Sequence, residues 1–547
     1  MNKLPLIEKG LHSNLRFHRK GNKSGFLPFA FFIFVIILVF FILGLRLFQL
    51  TIVKGNYYLR LSEENRIREI VIEPQRGKII DRGGVTLAQN TPANPNLAGN
   101  RFFSMRTYVE PEAIAPFVGY RQLANSQDLN SDLCLNKLQI GDKVGRKGVE
   151  KVYDCALRGR LGKKLIELDA RGKYIKTLSI APPVDGKTIQ VSLDLNLQKK
   201  INELFKDKKG AVIAIKPKTG EILAFYSSPT FNPQDFEDNN QTKLRQYLGS
   251  ADQQLFNRAT EGVYPPGSIF KLFVATGGLE DKTIQEDTQL VDEGTIKAGP
   301  ISFGNWYFLQ YGKTEGSLNI VKAIRRSTDT FFYQLGAKMG PERMKYWADR
   351  FGLGKKADFD LEQAEGTLPS PYWKEEILKD KWYLGDTYNM SIGQGYALVT
   401  PLQIAQATAA FANNGQMCKL TLLKDDKRGC IDLHISQKTL DLVREGMKEA
   451  CSTGGTGWPF FDYSYRAAPT ASSSATISVQ TACKTGTAED ADKTKSAHAW
   501  ITVFAPFDNP DITLTVLVEH GGQGSDIAGP IAKEILKTYF EKKALKL

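Results

Sequence analysis

Residues 264–273 read YPPGSIFKLF and place a lysine inside an apolar run that follows a double proline. The Pro-Pro-Gly segment continues neither a strand nor a helix, so a helix is expected to begin at or just after Ser268. Lys271 would lie one turn further along, on the same helical face. Two interpretations are open: a helix start with one snorkelling lysine, or a nucleophilic serine with its base. Ser-x-x-Lys arises by chance in many proteins, so other parts of the chain must decide.

Two later stretches complete a recognisable set of polar residues. RRSTDTFFYQLG (325–336) places Ser327 and Asp329 at the start of an amphipathic helix, and ACKTGTAE (482–489) contains a Lys-Thr-Gly strand. Such a strand presents a cation and hydroxyls along its edge, which suits a substrate carboxylate, and its glycine lets a ligand backbone approach closely. Ser-x-x-Lys, Ser-Asp-Asn and Lys-Thr-Gly, in this order, are the motif set of penicillin-binding proteins and β-lactamases, and Ser327 with Asp329 stands in the place of the second element.

Further collinear stretches carry a resemblance to one family. They are PQRGKIIDRGGVTLAQN (74–90), GRKGVEKVYD (145–154), KGAVIAIKPKTGEILAFYSSPTFNP (209–233), YLGDTYNMSIGQGYALVTPLQIAQATAAFANNG (383–415) and HAWITVFAPF (498–507). On these residues the chain resembles the class B penicillin-binding proteins, the D,D-transpeptidases of peptidoglycan. Within that family it is most similar to the penicillin-binding protein 2 group of the cell-elongation machinery.

The resemblance implies an α+β fold of the penicillin-binding, serine β-lactamase-like kind, with an antiparallel sheet flanked by helices. The expected organisation is a basic cytoplasmic tail (1–25), a transmembrane helix (26–45), a strand-rich pedestal or dimerisation-type domain (46–193) and a transpeptidase domain (194–547). The residue pattern agrees, because strands at both ends of the last region with helices between them predict a sheet whose terminal strands pair centrally.

The family mechanism can be transferred to the matching positions. Ser268 would attack the carbonyl of the penultimate D-alanine of a donor stem peptide, with Lys271 as its base. Free D-alanine leaves, and an amine of an acceptor stem resolves the acyl-enzyme into a cross-link. Ser327 would relay protons, including to the leaving amine. Asp329 stands where most of the superfamily has Asn, and the elongation group tolerates Asp there. β-Lactams would acylate Ser268 by the same route.

The Lys-Thr-Gly strand supplies the implied substrate-binding groups. Lys484, Thr485 and Thr487 would hold the terminal carboxylate of the donor, and Gly486 belongs to the same strand. The backbone N–H groups of Ser268 and Thr487 would form the oxyanion hole. The resemblance implies no cofactor and no metal.

The N-terminal region predicts a membrane anchor. FLPFAFFIFVIILVFFILGL (26–45) carries no charge and is long enough to cross a bilayer core of about 30 Å. A cleaved signal peptide or a buried helix are the alternatives, but the run is too long for the first and no small-residue cleavage site follows it. Basic residues precede it: Lys3, Lys9, Arg16, Arg19, Lys20 and Lys23, against the single acid Glu8. The positive-inside rule then predicts a single-pass protein of the inner membrane whose catalytic domain is extracytoplasmic.

Composition narrows the choice of partners. The formal net charge is +13, yet no dense Lys/Arg block follows the N-terminal flank. This distribution of charge favours anionic lipid or anionic wall polymer over nucleic acid as the binding partner. The resemblance adds a SEDS-family glycosyltransferase as a membrane partner. The contact with this glycosyltransferase depends on the head region, residues 91–144, which is shorter here than in elongation-type relatives.

Six cysteines lie outside the predicted membrane span, where disulfides are allowed. They form three pairs close in sequence, Cys134–Cys155, Cys418–Cys430 and Cys451–Cys483, but other connectivities and free buried thiols are alternatives. No C-x-x-C motif and no closely spaced His pair occurs among His12, His18, His434, His498 and His520, so metal ligation is not expected. The low-complexity segment AAPTASSSAT (467–476) is predicted to be a mobile loop.

Two other functions compete with an active transpeptidase. A β-lactam sensor or β-lactamase on the same fold would need a multi-span anchor or fast deacylation, and this chain has one span and a long front region. A scaffold for the glycosyltransferase would not need catalysis. Since all the named polar residues are present, the scaffold reading stands as an added role.

Overall fold

The computed structural model describes residues 26–91, 104–169, 171–466 and 476–544. The predicted tail 1–25 and the predicted loop, apart from Thr476, lie outside the described residues. The chain forms two compact units. One comprises the residues up to Val71 together with Lys163–Ala181, and the other comprises Ile72–Gly162 and Pro182–Leu547.

The helices are α1 (Phe26–Phe48), α2 (Gly55–Arg66), α3 (Pro111–Val118), α4 (Ser126–Ser131), α5 (Gly148–Val152), α6 (Asp154–Arg158), α7 (Leu195–Leu204), α8 (Pro233–Glu237), α9 (Gln241–Gly249), α10 (Lys271–Glu280), α11 (Trp306–Tyr311), α12 (Ile320–Arg326), α13 (Asp329–Met339), α14 (Pro341–Arg350), α15 (Pro371–Trp373), α16 (Leu384–Ser391), α17 (Pro401–Ala412), α18 (Gln437–Ala450) and α19 (Gly529–Ala544). The strands are β1 (Ile67–Ile72), β2 (Ile79–Ile80), β3 (Thr86–Thr91), β4 (Met105–Tyr108), β5 (Arg121–Leu123), β6 (Lys143–Gly145), β7 (Gly162–Leu168), β8 (Tyr174–Ala181), β9 (Ile189–Gln190), β10 (Gly210–Lys216), β11 (Glu221–Ser228), β12 (Leu290–Asp292), β13 (Thr295–Ala298), β14 (Ile301–Gly304), β15 (Gly316–Leu318), β16 (Gln416–Cys418), β17 (Cys430–Asp432), β18 (Ser464–Arg466), β19 (Thr476–Ser478), β20 (Ala482–Ala488), β21 (His498–Ala505) and β22 (Ile512–Val518).

The first unit carries the apolar helix. The stretch Leu27–Val53 is long and apolar enough to cross a membrane, and its side chains are exposed along the span. Helix α2 follows it and reaches Arg66, although the alternating apolar pattern of residues 62–90 predicts strands joined by a turn. That expectation was wrong for residues 62–66, because Ser, Glu, Asn and Arg tolerate a helix that has already begun at Gly55. Strands β1, β7 and β8 then form a three-stranded sheet with β7 in the middle.

The second unit is built on a five-stranded antiparallel sheet in the order β11-β10-β22-β21-β20. The predicted central pairing of the terminal strands is confirmed, since Ile213 of β10 faces Thr515 of β22. Every residue of β21 and β22 is buried, which explains the continuous apolar runs in their sequences. The residues on the two faces of the sheet belong to different buried clusters, so both faces are covered.

Two backbone details near the first and second motifs depart from a simple helix. Gly267–Ile269 form a short 3-10 turn before α10, close to the helix start expected at or after Ser268. Gly267 has a φ of +55°, and a Cβ there would lie 2.9 Å from the Thr487 carbonyl oxygen, so only glycine fits. The sequence of residues 317–338 has a helical pattern, but the structure breaks it at Ser327, whose φ of 55° ends α12 before α13 begins.

Buried ion pairs organise the front of the second unit. Arg106 donates from Nε to Glu150 at 2.8 Å, Arg76 contacts the same carboxylate at 2.7 Å, and Arg121 pairs with Glu237 at 2.6 Å. Burial alone would raise the pKa of Glu150, but the two neighbouring guanidinium groups lower it to about 2. Removing one partner would leave a buried charge uncompensated, so these residues act as a unit.

All three predicted disulfides are present: Cys134–Cys155, Cys418–Cys430 and Cys451–Cys483. The second joins the hairpin strands β16 and β17. The third joins the residue that follows α18 to β20, immediately before Lys484. It therefore fixes the strand that carries the Lys-Thr-Gly motif.

Candidate active site

The fold brings four of the predicted catalytic residues into direct contact. Lys271 Nζ, at the start of α10, donates to the Ser327 carbonyl oxygen at 2.8 Å and to Asp329 Oδ1 at 2.6 Å, and lies 3.2 Å from Ser327 Oγ. Lys484 Nζ, from β20, donates to Ser327 Oγ at 2.8 Å. Three segments far apart in sequence thus converge on one serine hydroxyl.

The Ser327 hydroxyl lies between two lysine side chains. Because its oxygen accepts from both Nζ atoms, its own hydrogen is left to donate to a third group. The left-handed backbone at Ser327 makes this possible, since it ends α12 and turns the side chain and carbonyl toward Lys271. An oxygen held in this way can pass a proton from a lysine to a group in the cleft.

Both lysines are fully buried. Burial lowers the pKa of Lys271, while the charge and the hydrogen bond of Asp329 oppose that shift. The pKa of Lys484 lies well below its usual range, because of burial and then the neighbouring positive charge of Lys271. Both shifts favour the neutral form of the amine, which is the form that a general base must have.

The Asp329 carboxylate is held on both oxygens. Lys271 binds Oδ1, and the Trp306 backbone N–H donates to Oδ2 at 2.9 Å. The Asp329 N–H donates in turn to Asn305 Oδ1 at 3.1 Å, and Asn305 Nδ2 donates to Asp292 at 2.8 Å. Asn305 and Asp292 are buried. Sequence reasoning missed both, because nothing in their local pattern marks Asp292 at the end of β12 or Asn305 before α11.

Strand β20 presents the Lys-Thr-Gly residues beside the segment that carries Ser268. A Cβ on Gly486 would lie 3.1 Å from the Pro266 carbonyl oxygen, so glycine permits this close packing. Trp500 Nε1, from the neighbouring strand β21, donates to the Pro265 carbonyl oxygen at 3.1 Å. Thr487 is exposed and Thr485 is buried, with the Thr485 hydroxyl 2.9 Å from that of Thr456.

Ser268 is half buried between Gly267 and α10. Among the contacts of the described residues, Lys271 Nζ bonds to Ser327 and Asp329 and not to Ser268. Ser268 and Lys271, the predicted serine–lysine pair, therefore lie within one helical turn of each other without a direct hydrogen bond. Such bonds are often formed only when substrate is bound.

Two histidines that are far apart in sequence meet in one cluster. The rings of His498 and His520 are 4.8 Å apart, and Asp490 Oδ2 lies 3.4 Å from His498 Nε2 and 3.6 Å from His520 Nδ1. Sequence spacing could not reveal this, because the pairing of β20, β21 and β22 sets the three residues side by side.

The ligand atoms of the three side chains lie within 4.8 Å of one another, but the hydrogen bond to His498 disfavours metal binding at that ring. His498 Nδ1 accepts the His520 backbone N–H at 3.2 Å, so the neutral ring carries its proton on Nε2, facing Asp490. A metal-binding imidazole normally presents the opposite tautomer, with its second nitrogen donating. The cluster fastens the end of β20 to the neighbouring strands.

A Ser-x-x-Lys helix, a Ser-x-Asp junction and a Lys-Thr-Gly edge strand on this sheet define a penicillin-binding transpeptidase. Comparison with known proteins agrees. The penicillin binding protein transpeptidase domain matches residues 210–537, and the penicillin-binding protein dimerisation domain matches residues 103–191. The chain is 30% identical to the peptidoglycan D,D-transpeptidase MrdA of Haemophilus influenzae, over 93% of this chain and 90% of the relative.

Two solved structures are similar over most of the chain. Penicillin-binding protein PBP2 of Helicobacter pylori, in complex with MreC, is 28% identical with a TM-score of 0.73, and covers 87% of this chain and 99% of that one. A chain from a structure described as "structural coordination of polymerization and crosslinking by a peptidoglycan synthase complex" is 26% identical with a TM-score of 0.73, and covers 94% of this chain and 98% of that one.

The chain belongs to the penicillin-binding protein transpeptidase family, as a class B member of the PBP2 type. Its activity is that of a serine-type peptidoglycan D,D-transpeptidase acting in cell-wall elongation.

Proposed function

We propose that Ser268 is the nucleophile of this transpeptidase and Lys271 its base. The observation that supports this most is the shared hydroxyl of Ser327, which both buried lysines bind. Neutral Lys271 takes the Ser268 proton as Oγ attacks the carbonyl of the penultimate D-alanine of a donor stem peptide. The Ser268 Oγ–carbon bond forms, and negative charge develops on the carbonyl oxygen.

Collapse of this intermediate breaks the peptide bond to the terminal D-alanine. The proton held by Lys271 passes through the Ser327 hydroxyl to the departing nitrogen, and free D-alanine leaves an acyl-enzyme. An acceptor amine then attacks the ester, its proton returns along the same path to Ser268 Oγ, and a cross-link forms. Asp329 stabilises Lys271 while it is charged and keeps its ammonium aimed at Ser327.

Strand β20 would bind the donor. Lys484, Thr485 and Thr487 hold the terminal carboxylate, and Gly486 keeps the strand close to the Ser268 segment. The N–H groups of Ser268 and Thr487 stabilise the oxyanion. β-Lactams present an equivalent carboxylate and carbonyl, so they acylate Ser268 by the same first step.

Covalent labelling tests the assignment. The full-length chain in detergent is expected to bind fluorescent penicillin, with the label on the peptide that contains Ser268. Ser268→Ala should abolish labelling, whereas Ser302→Ala, at an exposed serine of β14, should leave it unchanged. A label that persists in Ser268→Ala, or maps to another residue, would overturn the assignment.

The remaining expectations concern the membrane and its partners. The basic flank before α1 supports a cytoplasmic N-terminus with residues 46–547 outside, and the transpeptidase domain is taken to begin near residue 194. A SEDS-family glycosyltransferase partner is supported by the similar chain from a peptidoglycan synthase complex, and an MreC-type partner by the Helicobacter pylori complex.

Co-purification tests this partner proposal. The tagged chain, extracted in mild detergent, should retain the glycosyltransferase. Failure to retain it, while fluorescent penicillin still labels the chain, would overturn the partner and leave the catalytic assignment intact.

A further inference from the structure

Thr456 is a half-buried threonine in the loop after α18, and the proposed catalytic steps do not use it. Its hydroxyl oxygen lies 2.9 Å from that of Thr485, the buried threonine of the Lys-Thr-Gly motif. The proposed function assigns Thr485 to the terminal carboxylate of the donor. Thr456 is therefore in direct contact with a side chain that is proposed to bind substrate.

The loop that carries Thr456 packs directly on β20. The Cys451–Cys483 disulfide joins the residue after α18 to this strand. A Cβ on Gly457 would lie 2.5 Å from the Cys483 sulfur, so glycine permits the close packing. The Gly457 N–H donates to the Ala450 carbonyl oxygen at 2.7 Å and returns the loop to the end of α18. The backbone is thus fixed on both sides of Thr456.

Helix α12 holds the same loop from the side of the second motif. Arg325 donates to the Thr453 carbonyl oxygen at 2.9 Å, and Arg326 donates to the Gly454 carbonyl oxygen at 3.0 Å. Arg326 directly precedes Ser327, the serine that both catalytic lysines bind. The loop is therefore attached to two motif segments, and a side chain held in this way loses little freedom when it acts on a ligand.

The contact between the two hydroxyl groups leaves one hydrogen for a third partner. Each hydroxyl has one hydrogen to donate and two lone pairs that accept, and it rotates to suit its neighbours. If Thr485 donates to Thr456, it presents only lone pairs to the cleft, and these repel a carboxylate. If Thr456 donates instead, the Thr485 hydrogen is free to bind the carboxylate, and the two hydrogen bonds strengthen each other.

The other threonine of the strand is supplied differently. Thr487 lies two residues beyond Thr485, so the two side chains project to the same face of β20. Its hydroxyl oxygen accepts the Gly524 backbone N–H at 3.4 Å. Because an N–H can only donate, the Thr487 hydrogen stays available to a ligand. The Thr485 hydrogen becomes available only when Thr456 donates.

We infer that Thr456 is a positioning residue, which donates to Thr485 and thereby turns the Thr485 hydrogen toward the terminal carboxylate of the donor. The inference rests on the proposed function, since it assumes that Thr485 binds this carboxylate. Thr456 then raises the preference of the enzyme for a ligand with a free carboxylate over the same ligand as a neutral ester, and it does so through Thr485. Hydrogen bonds to a charged acceptor are stronger than those to a neutral one, so the two ligands differ in how much they gain.

Acylation by benzylpenicillin and by its methyl ester measures this preference. Both compete with fluorescent penicillin for Ser268 in the full-length chain in detergent, and the ratio of their acylation rate constants is the selectivity for the carboxylate. Thr456→Val keeps the shape of the side chain and removes the hydroxyl, so the ratio should fall about fivefold to tenfold through slower acylation by the carboxylate ligand. Thr456→Ser keeps the hydroxyl and should keep the wild-type ratio. Each ratio compares two rates in one protein, so a change in the folded fraction does not alter it.

Thr453→Val makes the same change at an exposed threonine of the same loop and should keep the wild-type ratio. Thr485→Val should lower the ratio by itself, and adding Thr456→Val to it should lower the ratio no further. An unchanged ratio in Thr456→Val, an equal loss with both ligands, or a Thr456→Ser variant that behaves like Thr456→Val would overturn the inference. A wild-type enzyme without preference, or no effect of Thr485→Val, would instead overturn the proposed role of Thr485.

Discussion

Ser327 holds a backbone conformation that is costly for a serine. Its φ of 55° costs about 1–3 kcal/mol, and the surrounding helices α12 and α13 supply the packing that maintains it. In return, its hydroxyl oxygen accepts hydrogen bonds from both buried lysines. Strain at this position is explained by the need to present one hydroxyl to two segments.

Replacing Ser327 should therefore impair chemistry more than folding. Ser327→Ala and Ser327→Gly both remove the relay hydroxyl and should lower the rate constant of penicillin acylation roughly 10²- to 10⁴-fold. Ser327→Gly relieves the backbone strain and should be the more stable of the two in thermal unfolding. An alanine variant that acylates near the wild-type rate would show that the hydroxyl is not required.

The pH dependence of acylation should reveal the lowered pKa of Lys271. Below that pKa the amine is protonated and cannot accept the Ser268 proton, so the rate should rise with pH through it. Asp329 raises the pKa of Lys271, so Asp329→Asn lowers it further and should move the acid limb of the profile to lower pH. Rate–pH profiles of both proteins test this. A shift to higher pH would contradict the assignment.

Strand β20 is held from both of its sides near Lys484. Strand β21 pairs with it along its length, and the Cys451–Cys483 disulfide and the Thr456–Thr485 contact tie it to the loop after α18. Lys484 follows Cys483 directly, so the position of its ammonium depends on this attachment.

Removing the Cys451–Cys483 bond should cost both stability and rate. The double variant Cys451→Ser, Cys483→Ser is expected to lose about 2–4 kcal/mol in free energy of unfolding and to acylate more slowly per folded molecule. The matched control, Cys418→Ser with Cys430→Ser, lies in the β16–β17 hairpin and should lose stability while keeping its acylation rate. Equal acylation rates in the two double variants would contradict the proposed role of the Cys451–Cys483 bond in positioning Lys484.

The His498 cluster makes the ends of the same strands sensitive to acid. Burial lowers the pKa of His498 in the folded state, and the neighbouring His520 lowers it further, while Asp490 and Glu519 oppose the shift. The folded state thus binds the proton more weakly than the unfolded state. The stability contributed by neutral His498 is present above the ordinary imidazole pKa of about 6.5 and is lost as pH falls below it.

Thermal unfolding at several pH values measures this effect. Between about pH 7 and 5 the melting temperature of wild type should fall more than that of His498→Gln, which cannot be protonated. His434→Gln changes an exposed histidine and should behave as wild type. Identical slopes for wild type and His498→Gln would show that this group does not set the acid sensitivity.

At the level of the whole molecule, the parts that sequence could predict are those with local signals. The apolar runs of the sequence predicted strands β10, β11 and β22. The sequence motifs predicted Lys271, Ser327, Asp329 and Lys484 as site residues. The sequence did not predict helix α2 or the break at Ser327. Helix-compatible residues in α2 and tertiary contacts at Ser327 outweigh the local pattern. The sequence did not predict that Asn305 reaches the site or that His498 and His520 meet, because the path of the chain and the strand register determine their positions. The boundary near residue 194 stays a prediction.

The pairing of β10 with β22 has a consequence for how the chain is made. β22 lies between β10 and β21, so the central strand of the catalytic sheet is synthesised more than 280 residues after its first neighbour, β10 at residues 210–216 against β22 at residues 512–518. For most of that interval β10 has only β11 as its partner, and its open edge can pair wrongly with other chains. The sheet that carries the candidate active site is therefore complete only once β22 has been made.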